Sequence, residues 1–276
     1  ICPRMDAPLG NRPMAPSPDL IDQQLERLEK QFQEASSELR DLRKKLITET
    51  QAELDEIKDE WHGVHYKWWV LTLSGVLGFF VLCYTLYTNL GWVADHRQLP
   101  TGSDWVLRHL PAVNVLPVLS WGWFGLHIYA GAAAILYYPR RMPFLLFMLG
   151  LFIAIRSVFI FLSPIGAPEL MMDMSKMDFL FSQIMGTWTF NNEFVFSGHT
   201  SIPFLFFLFF ETRGLKTLCL IGSIVMGVCV LLSHNHYTVD VLGAYFVSYS
   251  IYKLSEWLYY GYIRPLFQVL PSRIRH

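Results

Sequence analysis

Two short stretches hold residues that could do chemistry together: FSGHT at 196–200 and HNHYTVD at 234–240. In the second, His236 and Asp240 are four apart, which puts them on one face of a helix. A carboxylate one turn from a histidine can accept a ring N–H, fix the tautomer and raise the basicity of the other nitrogen. Such an imidazole can attack, and attack on phosphorus would give a phosphohistidine. In the first stretch, His199 could protonate a leaving oxygen and then deprotonate an incoming hydroxyl. Gly198 lets backbone approach a phosphate closely. The Ser197 and Thr200 hydroxyls, with the N–H groups of a helix start, could cradle it. His199 stands at the mouth of the apolar run PFLFFLFF, where a titratable group is costly.

Arg156, inside the apolar stretch IAIRSVF, is a further candidate, because a planar guanidinium fork suits phosphate oxygens. Its rival readings are snorkelling to an interface and pairing with Glu169 or Glu193. Most of the nine histidines read as interfacial: His62, His65, His96, His109 and His276. His127, inside an apolar run, reads as a packed polar residue. His234 and His236 form an H-x-H pair that could bind zinc with His199 and Asp240. Gly-His-Thr beside His-x3-Asp fits phosphoryl chemistry better, and no metal is expected.

The elements that must position these groups are membrane helices. The chain is 53% hydrophobic and 16% aromatic, and the apolar residues are clustered. Six runs near 68–90, 113–137, 142–163, 196–211, 216–233 and 238–260 approach the length that crosses about 30 Å of hydrocarbon. The expected fold is all-α, a polytopic six-helix bundle over 63–264. Tryptophans 61, 68, 69, 92, 105 and 257 flank several ends, as interfacial belts do. Basic residues orient the bundle. With the N-terminus inside, inner loops hold Arg140, Arg141, Arg213 and Lys216, and the tail from 265 adds Arg273 and Arg275 just after Arg264. The loop from Pro164 to Val195 is acidic. Both termini are therefore expected in the cytosol and the two histidine stretches at the outer face.

Residues 1–19 are Pro-rich and expected to be disordered, and they do not read as a signal peptide. Over 20–62, Leu25, Leu28, Phe32, Ala35, Leu39, Leu42 and Leu46 alternate spacings of three and four, and a shifted stripe continues to Trp61. A solvated helix packing its stripe on a neighbour and a coiled coil joining two copies remain equal alternatives. Net charge is −1, so nucleic acid is not an expected partner. Cys2, Cys83, Cys219 and Cys229 are too scattered for a disulfide framework.

The two histidine stretches resemble the third and fourth signature motifs of the sphingomyelin synthase family, within the lipid phosphate phosphatase superfamily. The matching residues are Phe196-Ser197-Gly198-His199-Thr200 and His236-Tyr237-Thr238-Val239-Asp240-Val241. Arg140-Arg141, Arg156 and Leu162-Ser163-Pro164 follow the second motif in outline. Gln98-Leu99-Pro100 with Asp104 and Pro111 loosely echo the first. The resemblance covers about residues 90–260. It implies six spans with an exoplasmic site and no cofactor. It implies that His236 attacks a donor phospholipid, Asp240 orients it, and His199 serves the diacylglycerol oxygen. Arg156, Ser197, Gly198, Thr200, Glu193 and Tyr237 are then expected to hold substrate or phosphate. The headgroup passes to a lipid hydroxyl, as on ceramide; diacylglycerol is the other acceptor considered.

The sequence departs from that pattern in places. Asn191-Asn192-Glu193 stands where the family has Cys-Gly-Asp. The K-x6-R-P motif of the dedicated phosphatases is absent, and Val230 occupies their second arginine position. A transferase is the favoured expectation. A phosphatase using water as acceptor and a catalytically silent lipid-binding scaffold are its rivals.

Overall fold

A backbone in hydrocarbon must close its hydrogen bonds within its own segment, so long apolar runs fold as helices. The computed structural model describes residues 18–62, 64–163, 165–172, 190 and 192–266, and every regular element among them is helical. In chain order these are α1 (Pro18–His62), α2 (Tyr66–Asp95), α3 (Trp123–Tyr137), α4 (Met142–Leu162), α5 (Gly198–Phe209), α6 (Arg213–Leu232) and α7 (Thr238–Leu258). A π-helical turn, Val118–Gly122, leads into α3, and another, Tyr259–Ile263, follows α7. Between α3 and α4 lies a short 3₁₀ turn, Pro139–Arg141.

Four of these helical stretches are long and apolar enough to cross a membrane: Tyr66–Asp95, Val118–Tyr137, Pro139–Leu162 and Arg213–Leu232. The fourth and sixth runs are also helical. However, α5 has only 12 residues and holds Pro203, and α7 carries Asp240, Lys253 and Glu256. The second run starts later than its composition suggests. Residues 111–115 are not helical; prolines 111 and 117 bracket them, and the Val113 N–H donates to the Leu232 carbonyl at 2.8 Å.

Residues 1–56 and 57–276 form two compact units. In the first, α1 exposes its apolar stripe, with Leu28, Phe32, Leu39, Leu42 and Leu46 each more than 60% accessible. The second unit contains the bundle. Its main core joins Phe144, Met148 and Phe152 of α4 to Leu205, Phe206 and Phe209 of α5 and to Ala244 and Ile251 of α7. Helix α2 lies along α4, where Phe79 and Phe147 stack at 5.2 Å. A smaller core joins Leu119 to Met226 and Val230 of α6 and Val241 of α7. Small residues let α5, α6 and α7 meet closely: a Cβ on Gly227 would lie 3.1 Å from Val241 and 3.4 Å from the Thr200 hydroxyl. Nearby, Ser223 Oγ donates to the Thr200 carbonyl at 2.7 Å.

Candidate active site

The segment that ends α6 and begins α7 is folded by a Schellman motif. The Asn235 N–H reaches the Val230 carbonyl at 2.9 Å and the His234 N–H reaches Leu231 at 3.0 Å. That motif needs a left-handed residue after the cap, and here it is His234, with φ 56°, rather than glycine. Its ring nitrogen Nε2 lies 3.2 Å from the Leu110 carbonyl, which helps hold it there. The sharp turn leaves His236 and Tyr237 immediately before α7.

Asp240, in the first turn of α7, accepts the Tyr237 N–H at Oδ2, 3.1 Å, and faces His236 Nδ1 from 3.4 Å with the same oxygen. Both side chains are nearly buried, at 7% and 8% exposure. The N-terminal end of a helix favours the carboxylate there. Because a carboxylate only accepts, the pairing assigns the ring proton to Nδ1 and leaves Nε2 with its lone pair.

The backbone couples this stretch to the other histidine. The Ser197 N–H donates to the Asp240 carbonyl at 3.1 Å, so the entry to α5 is tied to the first turn of α7. His199 is the second residue of α5, with His236 and Arg156 both within electrostatic range of its ring. Pro203 has no N–H to return to the His199 carbonyl, so this helix start is only partly closed on itself. Ser197 and Thr200 are fully buried, and neither hydroxyl has a hydrogen-bond partner. A Cβ on Gly198 would make only ordinary contact with the Arg156 guanidinium, 3.6 Å from Nε. The guanidinium thus lies beside the opening turn of α5.

Arg156 is itself well held. Nη1 pairs with Glu193 Oε2 at 2.6 Å, Nε donates to the Phe196 carbonyl at 3.3 Å, and Nη2 lies 3.4 Å from the Glu193 carbonyl. The other oxygen of Glu193 accepts from the Tyr87 hydroxyl at 2.5 Å and the Phe190 N–H at 2.6 Å. Of the rival readings of Arg156, the pairing with Glu193 is the one present. Both carboxylate oxygens of Glu193 are occupied by the protein, so its direct job is to hold Arg156. Tyr237 likewise spends its hydroxyl internally: it donates to the Gly166 carbonyl at 2.9 Å and accepts the Gly102 N–H at 2.8 Å. Glu193 and Tyr237 therefore brace neighbouring segments through these bonds.

Other bracing residues carried little or no sequence signal. Asp104 accepts the Thr238 N–H at 2.6 Å and its hydroxyl at 3.1 Å, and so caps α7 from a distant loop. It also accepts the Val106 and Leu107 N–H groups. Burial alone would raise the Asp104 carboxyl, but these hydrogen bonds outweigh it and hold the group below the ordinary carboxylate value. Only its place in a loose motif echo could have pointed to it. Asn192 N–H reaches Asp95 at 2.8 Å, and its side-chain amide reaches the Ala94 and Arg97 carbonyls. Tyr87 looked like one more aromatic in an apolar run. Among the described residues no three His, Cys, Asp or Glu side chains converge as a metal-binding group. The ring of His234 lies against the Leu110 carbonyl.

Comparison with known proteins bears on the same segment. Residues 192–258 match the PAP2 superfamily C-terminal family. This PAP2-type segment begins at Asn192 and runs through both histidines and Asp240 to the end of α7. Phosphatidylcholine:ceramide cholinephosphotransferase 1 of Homo sapiens is 33% identical over 75 residues, 25% of this chain and 18% of the relative. The Gallus gallus protein of that name is 35% identical over 75 residues, with the same coverage. Phosphatidylcholine:ceramide cholinephosphotransferase 2 of Rattus norvegicus is 34% identical over 71 residues, 24% of this chain and 20% of the relative. The matched region is thus about a fifth of the length of these relatives. No solved structure matches the chain. The resemblance read from the two motifs holds over this segment, and the apolar helices mark an integral membrane protein.

Proposed function

We propose that this protein is a six-span phospholipid headgroup transferase that moves a phospho-alcohol such as phosphocholine from a glycerophospholipid to a lipid hydroxyl, as on ceramide. The carrying observation is the His236–Asp240 pair joined by the Ser197–Asp240 backbone bond to the helix that bears His199. Nε2 of His236 attacks the donor phosphorus, and the bond to the diacylglycerol oxygen breaks as His199 delivers a proton to it. The headgroup then rests on His236 as a phosphohistidine diester-type adduct. The acceptor hydroxyl attacks that phosphorus, His199 takes its proton, and the P–N bond breaks to restore the imidazole. Asp240 keeps the Nδ1 proton in place and offsets positive charge on the ring. Arg156 and the N–H groups opening α5 face the phosphate oxygens.

Similarity to the cholinephosphotransferases supports phosphocholine and ceramide as first substrates to test. An arrangement with both termini cytosolic and the site exoplasmic is supported by the basic residues 140, 141 and 213, which lie at the helix ends opposite His199 and His236. The test is to supply purified protein with labelled phosphatidylcholine, with and without ceramide, and to follow lipid products by mass spectrometry. Transfer predicts a ceramide-dependent phospholipid and diacylglycerol, both lost in His236→Ala. Headgroup release without any lipid acceptor would replace the transferase by a hydrolase. Unchanged lipids with folded protein would favour a silent scaffold.

A further inference from the structure

The apolar stripe of α1 is bare: Leu28, Phe32, Leu39, Leu42 and Leu46 are 61–73% exposed, and Leu54 is half exposed. Its pattern says what kind of surface would cover it. The stripe keeps the a and d positions of successive heptads from Leu25 to Leu46, and one extra residue shifts it to Leu54 and Ile57. The flanking e and g positions 29, 31, 36, 38, 43 and 45 are all polar, and Ile47 alone widens the stripe, at the shift. A helix that packs on a globular core carries a broader apolar face, whereas two apolar residues in seven make the narrow seam of a coiled coil. A lipid surface fits α1 no better. The helix holds thirteen Asp and Glu against seven Lys and Arg, a net charge of −6, where helices that lie on membranes are rich in Lys and Arg.

We propose that α1 pairs with the α1 of a second copy of this chain as a parallel, in-register coiled coil. Three residues separate His62, the end of α1, from Tyr66, the start of α2. Copies inserted alike in one membrane therefore root their α1 helices at one level on one side, so that parallel pairing matches residue to residue. In that register each g position meets the e position of the next heptad on the other copy. Glu38 then faces Arg43 of the second copy, Glu53 faces its Lys58, and two-fold symmetry makes each pair twice. No like charges meet across these positions from 24 to 58. The seam also alternates in size where it must: Phe32, its largest side chain between 25 and 57, lies one layer from Ala35, its smallest. This pairing goes beyond the headgroup chemistry and does not depend on it.

The test uses the full chain in detergent micelles, with the protein mass read by light scattering. Wild type should run as two copies, and the double variant Leu39→Glu with Leu42→Glu as one. Glu38→Arg should weaken pairing by about tenfold, because it turns two attractive contacts into repulsive ones, and Glu38→Arg with Arg43→Glu should restore it. In a Cys2→Ser background, Ala35→Cys on the seam should form a disulfide between copies under mild oxidation, whereas Ser37→Cys on the outer face should not. If the double glutamate variant loses helix by circular dichroism, the charge swap and the two cysteine variants decide the question. A single chain for wild type, a dimer kept by a folded glutamate variant, no rescue by the charge swap, or equal crosslinking at 35 and 37 would overturn the coiled coil. So would protection of α1 from hydrogen exchange that appears only with anionic vesicles, which would give the stripe to the membrane.

Discussion

At the scale of single residues, the proposed chemistry depends on which nitrogen of His236 holds a proton. Asp240 does two jobs with one oxygen: it caps the Tyr237 N–H and faces His236 Nδ1. Asp240→Asn separates them. The amide oxygen can still accept the Tyr237 N–H, so α7 keeps its start, but the charge that favours a cationic ring during attack is gone. Headgroup transfer should fall by on the order of 10²–10⁴-fold, with helix content by circular dichroism unchanged. A rate within a few-fold of wild type would remove Asp240 from the mechanism. His234 poses a separate question, since its left-handed backbone is a structural demand and not a chemical one. His234→Asn, which tolerates that conformation, should keep the fold. His234→Val should cost about 1–2 kcal/mol, read as a lower denaturation midpoint in detergent. Both histidine motifs were legible in sequence because residue type and short spacing define them. The turn that presents His236 was not, because no glycine announces it.

At the scale of elements, the buried ion pair between α4 and the entry to α5 positions the helix start that bears His199. Arg156 and Glu193 are 8% and 15% exposed, and Tyr87 of α2 joins them through the carboxylate. Removing one partner strands a charge in the bundle. Glu193→Ala should therefore destabilise by about 3–5 kcal/mol, measured by denaturation in mixed micelles. The double variant Arg156→Met with Glu193→Ala should recover part of that loss, because no unpaired charge remains. If the double variant is as unstable as the sum of the singles, the two side chains are not acting as a pair. Sequence alone exposed half of this unit. An arginine in an apolar run is conspicuous, and Glu193 was one of its two candidate partners. Tyr87 had no such mark, because its role comes from a contact across 106 positions of chain. The same holds for the late start of the second run, which is set by the bond from Val113 to Leu232 and by flanking prolines.

At the scale of the whole bundle, the polar contacts sort into two ends. At one, Arg141 pairs with Glu211, Tyr138 bonds Thr212 at 2.7 Å, and Trp69 bonds the Pro139 carbonyl at 2.7 Å. At the other, Asp104, Gly102, Gly166 and Ser197 bond the start of α7 and Tyr237 just before it. The apolar runs announced the helices because length and composition suffice to specify them. They could not announce these bonds, since Asp104 meets Thr238 across 134 positions. The Asp104 contact has a pH signature. The Asp104 carboxyl is held below its ordinary value by the N–H and hydroxyl groups it accepts, so its contribution is fully present above about pH 3.9, where an unfolded aspartate ionises. As pH falls from there through the lower folded value, Asp104 takes up a proton and the contribution is lost. In Asp104→Asn this titration is absent. The variant should be less stable than wild type at neutral pH, and the difference should narrow as pH is lowered from about 3.9, the ordinary aspartate value, through the lower folded one. Thermal denaturation in detergent across that range measures it. A gap between variant and wild type that stays constant, or widens with acid, would show that Asp104 does not latch its loop onto α7 by its charge.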